Sequence, residues 1–302
     1  MSAPLSTAEP AATRRFPPVL RGILWMLLSV GSLAAVMVSV RVLKDDLHTF
    51  ELLFLRAGVA FAIIIAIMAR YGRIGMATNR PFMHLSRSVI HLTGQFCVFV
   101  AVIHLPLAEV TALEFTIPIF TALIAAVAIR EKVGPARWAG MAIAFAGVLV
   151  IVRPGVEAVH FASLAALTGT FFFGSANVLA KVLRRTESAN QVVFYMHLVQ
   201  TGVALVPALY VWTTPSLWML PWILLMGLGS LGSHYAVARA VALADVSVVA
   251  PMDFLRLPLV ALVALLMWSE VLSIWTALGA TMIVGATWWN AQRETRAARR
   301  AG

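Results

Sequence analysis

DVSVVAPMDFLRLPLVALVALLMWSE, residues Asp245 to Glu270, is long enough to cross a bilayer yet carries charge in its interior. Asp253 and Arg256 stand among apolar residues, three positions apart, and share one face of a helix. An ionisable residue within a membrane span is costly unless it is paired or faces an internal cavity, so this stretch is a candidate site. The competing reading is a mutual ion pair that only locks the helix into its bundle. Pro251 and Pro258 flank the pair, and each removes a backbone donor and can kink a span that lines protein or water.

The rest of the chain has the same character. Of 302 residues, 61% are hydrophobic and only 12% charged, far from the balance of a soluble domain. Apolar runs recur near 22–40, 50–69, 84–104, 109–129, 135–152, 160–182, 191–212, 218–241, 247–267 and 272–290, which predicts an all-α polytopic membrane protein with ten transmembrane helices. The expected organisation is an N-terminal tail over 1–20, five spans over 21–153, five over 160–290, and a basic tail over 291–302. The first apolar run is too long for a signal-peptide core and no small-residue cleavage site follows it, so it is expected to stay attached.

The net charge of +10 does not mark a nucleic-acid binder, because the basic residues are scattered among short loops. They alternate instead. Eighteen of the 23 Lys and Arg fall in one set of segments, against Arg41, Lys44 and Arg153 in the other, with Arg56 and Arg256 inside spans. The positive-inside rule then places both termini in the cytoplasm. Cys97 is the only cysteine, which excludes an internal disulfide and a cysteine-based metal site. No Walker A or HExxH pattern is present, and no metal or cofactor is called for. Gly227, Gly229 and Gly232 spell GxGxxG but lie in a span with no preceding strand. They read as close helix packing, as do Gly140, Gly147, Gly279 and Gly285.

The chain also resembles itself. FVAVIHLPLAEVT at 99–111 matches YAVARAVALADVS at 235–247, and EKVGPARWAG at 131–140 parallels EVLSIWTALG at 270–279 after a three-residue gain. Five spans in each half make equivalent helices run in opposite directions, the inverted repeat of alternating-access carriers. Counting back from Glu131 and Glu270 pairs Glu114 with Asp253; a gap placed later pairs Glu114 with Ala250.

At LPLAEVTALEFTIPIF (105–120), REKVGPARWAGMAIAFAGVLVIV (130–152), ADVSVVAPMDFLRLPLVALVALLMWSEV (244–271) and WTALGATMIVGA (275–286), the chain resembles the drug/metabolite transporter superfamily, specifically proteins built from two EamA domains. The resemblance covers about residues 20 to 290. It implies ten helices around a central cavity in a bacterial inner membrane, moving small metabolites. Its members include exporters of amino acids, nucleosides and metallophores and importers of riboflavin or S-adenosylmethionine. The family often carries a small uncharged residue where this chain has Glu114, so that carboxylate marks a particular substrate or structural partner.

The substrate-binding candidates are Arg56, Glu114, Asp253, Arg256, His91, Gln95, Asn177, Tyr195 and Tyr235. Arg56 is deep enough to need a carboxylate or an anionic substrate, unless it snorkels to an interface. His91 and Gln95, and likewise His197 and Gln200, have the spacing to share a cavity face. Trp25, Phe115 and Phe254 offer stacking surfaces. A cavity of mixed charge suits a zwitterionic, amino-acid-like solute such as an amino-acid derivative or metallophore, and export is the expected direction, with uptake as the alternative. Asp253 and Glu114 are candidates for proton coupling. A membrane-embedded enzyme acting on a lipid is the reading from another class, and no convergent catalytic motif supports it.

Overall fold

A computed structural model describes residues 17–71, 77–130, 134–154 and 160–301; most of the N-terminal tail and Glu131, which the self-similarity sets beside Glu270, lie outside these. Every described element is helical, as a chain in hydrocarbon must be to satisfy its backbone N–H and C=O groups within each segment. The helices are α1 (Pro18–Leu43), α2 (Thr49–Tyr71), α3 (Pro81–His104), α4 (Leu107–Glu114), α5 (Ile117–Ala128), α6 (Pro135–Val152), α7 (Phe161–Leu183), α8 (Ala189–Tyr210), α9 (Leu220–Leu243), α10 (Val246–Val249), α11 (Arg256–Trp268) and α12 (Ile274–Ala301), with 3-10 turns at Leu217–Met219 and Ala250–Leu255. Pro18, Pro81 and Pro135 open their helices, where the missing N–H costs nothing. Ser188 and Gln191 form a reciprocal capping box at the start of α8.

Eight described stretches are long and apolar enough to cross a membrane: α1, α2, α3, α4 with α5, α7, α8, α9 with its preceding turn, and 250–268. The apolar part of α6 is shorter. The last helix outruns its predicted end at 290 and continues to Ala301. Large apolar side chains such as Phe145, Leu209, Leu224 and Leu266 cover the outside, the expected surface for a chain whose solvent is lipid.

Helix α1 packs along α9, α3 along α7, α2 along α8 and α6 along α12. Small residues set the spacing. A methyl group on Gly147 would stand 2.7 Å from the carbonyl oxygen of Gly279, so the α6–α12 pair closes only because both positions lack side chains. Gly229 meets the Ser32 carbonyl of α1 and Gly227 meets Val59 of α2, the close packing expected of them, whereas a methyl group on Gly232 would meet only the Ser32 hydroxyl at 3.4 Å. Gly285 faces open space, contrary to the packing expected of it. Gly147→Ala is therefore expected to cost about 1–3 kcal/mol through overpacking, while Gly285→Ala stays within about 0.5 kcal/mol. Melting of the two variants in detergent checks this, and equal midpoints would refute it.

Candidate functional site

Two helices are broken at the centre of the molecule, and proline chemistry explains both breaks. Pro118 has no N–H to donate to the carbonyl of Glu114, so α4 ends there and the chain tightens through Phe115 and Thr116, whose N–H groups bond the carbonyls of Ala112 and Leu113. In the other half, Pro251 lies in the 3-10 segment and Pro258 cannot serve the carbonyl of Phe254. Sequence reading expected one continuous span over 109–129 and one helix carrying Asp253 with Arg256. The first is two helices, and Asp253 sits in the 3-10 turn while Arg256 opens α11.

These breaks bring Glu114, Asp253 and Arg256 together across 142 residues of chain. Arg256 Nη1 donates to Glu114 Oε2 at 3.1 Å, whereas Arg256 Nη2 stands 3.8 Å from Asp253 Oδ2, an ionic contact too long for a hydrogen bond. The Glu114 side chain is 9% exposed and that of Asp253 31%. Glu114 is thus the close partner of Arg256, and Asp253 is the more exposed of the two carboxylates. The guanidinium also lies 5.3 Å from the Phe115 ring centroid, and Phe115 meets Phe254 edge to face at 5.2 Å.

The triad stands between two lobes. One, of about 450 Å³, is lined by Met26, Ser29, Phe115, Phe254, Trp288 and Gln292 among others; the second, of about 240 Å³, by His91, Gln95, Phe99, Val102, Phe173, Asn177, Ser230 and His234. Glu114, Asp253, Arg256, Leu33 and Ile117 line both. Position along α1 gives the depth. Met26 and Ser29 belong to the first lobe, Val36 and Met37 to the second, and Arg41 stands beyond both. The first lobe therefore opens toward the end where α1 begins and α12 finishes.

Toward the other end, three segments are tied together. Arg41 donates to the carbonyls of Ile103 (2.9 Å) and Leu105 (2.5 Å) and to Glu270 Oε1 (2.5 Å), and Glu270 Oε2 accepts the N–H of Leu107 at 2.9 Å. One ion pair thus joins the end of α1, the α3–α4 turn and the α11–α12 turn.

Arg56 departs from expectation. It is fully buried and meets no carboxylate among the described residues; it donates to Ser230 Oγ, Gln95 Oε1 and Gln200 Oε1. Gln200 in turn joins His91 Nδ1 at 2.9 Å. Arg56 lies behind the second lobe rather than on its surface, and His197 and Gln200 are likewise buried outside the lining. Of the other predicted residues, His91, Gln95 and Asn177 reach the cavity and the two tyrosines do not. Tyr195 packs against His84 with ring centroids 4.5 Å apart, near the 3.7 Å contact of His84 with Glu187, and Tyr235 is 56% exposed beside Trp25. Sequence reading missed Ser230 and Ser233; with His234 their spacing of three and four marks one polar face on an apolar helix.

Comparison with known proteins agrees with this architecture. Residues 20–153 match the family model described as the EamA-like transporter family. The chain is 31% identical over 290 residues to a riboflavin transporter of Vibrio cholerae, covering 93% of this chain and 96% of that one. It is 30% identical over 270 residues to an S-adenosylmethionine uptake transporter of Rickettsia felis (89% and 91%), and 25% identical over 268 residues to the pseudopaline exporter CntI of Pseudomonas aeruginosa (88% and 94%). A solved crystal structure shares the fold with a TM-score of 0.61 at 20% identity, over 92% of this chain and 98% of that one. With relatives at this identity matched over nearly their whole length, the chain belongs to the EamA-like transporter family of the drug/metabolite transporter superfamily and is a multi-pass membrane transporter, not an enzyme.

Proposed function

We propose that the protein is a secondary carrier for a zwitterionic, amino-acid-like metabolite with an additional cationic centre, and that it imports this solute across a bacterial inner membrane. The observation that carries the reading is the Glu114–Arg256–Asp253 triad, two carboxylates against one guanidinium, with Asp253 turned to the cavity. A cationic group on the solute offsets the desolvation of Asp253, which an uncharged solute cannot do. Phe115 and Phe254 supply a face for a planar part of the same molecule. The named substrate of the Rickettsia felis relative has this charge pattern, and riboflavin, named for the Vibrio cholerae relative, is uncharged. Uptake is chosen over the export expected from sequence because the relative at 30% identity is named for it, whereas the exporter stands at 25%.

The working cycle is alternating access by two inverted five-span repeats, 21–153 and 160–290, with both termini cytoplasmic. Reciprocal packing supports this. The α1–α9 pair has its counterpart in α7–α3, and α2–α9 in α8–α3, while α2–α8 and α6–α12 pair equivalent helices. Even the loop ties are exchanged: Glu51, opening α2, accepts the N–H of Thr213 between α8 and α9, and Gln191, opening α8, donates to the carbonyl of Ala77 between α2 and α3. With the termini inside, the Arg41–Glu270 tie is a closed outer gate and the larger lobe faces the cytoplasm.

Purified protein in liposomes preloaded with unlabelled S-adenosylmethionine should accumulate the labelled compound by counterflow, and excess riboflavin should compete weakly. Asp253→Asn, which removes the cavity-facing charge, should lower this flux about tenfold or more. Cells expressing the protein should accumulate external label. Counterflow absent from protein-containing vesicles, or equal competition by riboflavin, would overturn the substrate class; net efflux from cells would reverse the direction.

A further inference from the structure

The hydrogen-bond network around Arg56 has a direction, and that direction reaches the cavity. A guanidinium has only donors, so the atoms facing it on Gln95 and Gln200 are their amide oxygens and the Ser230 oxygen accepts as well. Each partner is thereby turned. Gln95 lines the second lobe with its oxygen occupied, leaving its NH₂ for the cavity, and the Ser230 hydroxyl keeps its proton to donate. Gln200 presents its NH₂ to His91, whose Nδ1 must accept, so the ring proton of His91 resides on Nε2. His91 also lines the lobe, and its Nε2 makes no hydrogen bond within the described chain.

From this we infer that Arg56 is a positioning residue that converts three neutral side chains, Gln95, His91 and Ser230, into a donor-only wall, and that this wall binds the acceptor end of the solute. The wall rests on the carrier reading above and deepens it. The solute lies with its cationic end at Asp253 and its carboxylate at the wall. A ring carbonyl edge has the same acceptor chemistry, so the two sources must be separated by experiment. The cost of burying an arginine that meets no carboxylate among the described residues is met by three charge-assisted bonds.

Two measurements test this. In protein labelled with ¹⁵N-histidine, the His91 signal, assigned by its loss in His91→Gln, should show the neutral Nε2–H tautomer. Gln200→Glu, which offers His91 an acceptor instead of a donor, should move the proton to Nδ1 and leave Nε2 an acceptor toward the lobe. In counterflow, S-adenosylmethionine should compete about tenfold or more better than its decarboxylated counterpart, and this preference should shrink to about twofold in Gln200→Glu. A wild-type Nδ1–H tautomer, or equal competition by the two compounds in wild-type protein, overturns the wall. Strong competition by riboflavin with none by S-adenosylmethionine assigns the wall to a ring carbonyl and overturns the carboxylate assignment. Absent flux with the Nε2–H tautomer retained counts against the carrier reading while supporting the wall.

Discussion

Glu114→Gln is expected to destabilise the protein by about 3–5 kcal/mol and to abolish transport, because it strips a buried guanidinium of its one close anionic partner. Arg256 would keep only Asp253 at 3.8 Å, and its Nε already makes no hydrogen bond. Asp253→Asn leaves the 3.1 Å Glu114 contact intact, so its effect falls on flux more than on folding. This differs from the sequence reading, where spacing along the chain made Asp253 the partner of Arg256. The double variant Glu114→Gln, Arg256→Met removes both buried charges and should recover most of the stability without recovering transport. Melting in detergent and counterflow of each variant measure the two effects separately. A Glu114→Gln protein that melts and transports like the parent would end this account of the triad.

The second large effect lies at the Arg41–Glu270 tie. Glu270→Ala deletes the acceptor for both Arg41 and the Leu107 N–H, contacts that hold three segments together at one end of the cavity. A charge-assisted hydrogen bond contributes about 1.5–3 kcal/mol, so its loss should raise the population open at that end roughly ten- to a hundredfold. Val102 lies under the tie and lines the second lobe. In a Cys97→Ser background, Val102→Cys should therefore react slowly with an impermeant maleimide added outside cells, and faster by that factor once Glu270→Ala is added. Unchanged labelling would show that the ion pair is not the gate. Acceleration only in inside-out vesicles would place the tie on the cytoplasmic side and invert the orientation read from loop charge.

The membrane class and the kinking prolines Pro251 and Pro258 were legible, because hydropathy and proline act locally on the backbone. The break after Glu114 was equally available from Pro118, yet a continuous apolar run hid it. What spacing could not reveal was rotation of each helix about its axis. In a soluble helix the polar stripe marks the outer face, but here lipid and core are both apolar, so Tyr235 and Gln95 carry the same kind of signal and only one faces the cavity. Long-range partners were invisible for a related reason. Spacing of three paired Arg256 with Asp253, but nothing in the chain tied it to Glu114 or turned Arg56 toward neutral acceptors on α3, α8 and α9.

Those acceptors set a schedule for biosynthesis. Arg56 is made early, and Gln200 follows it by 144 residues and Ser230 by 174. At about 5–20 residues per second, α2 waits on the order of 10–30 s for partners that the ribosome has yet to produce. Through that interval an arginine at mid-span costs about 2.5–3.5 kcal/mol on insertion scales, more than a single amide from Gln95 returns. The nascent first half therefore has reason to linger at the translocon, or to let α2 ride near the interface. The arrival of α8 and α9 then supplies Gln200 and Ser230, the acceptors that complete the shell of Arg56.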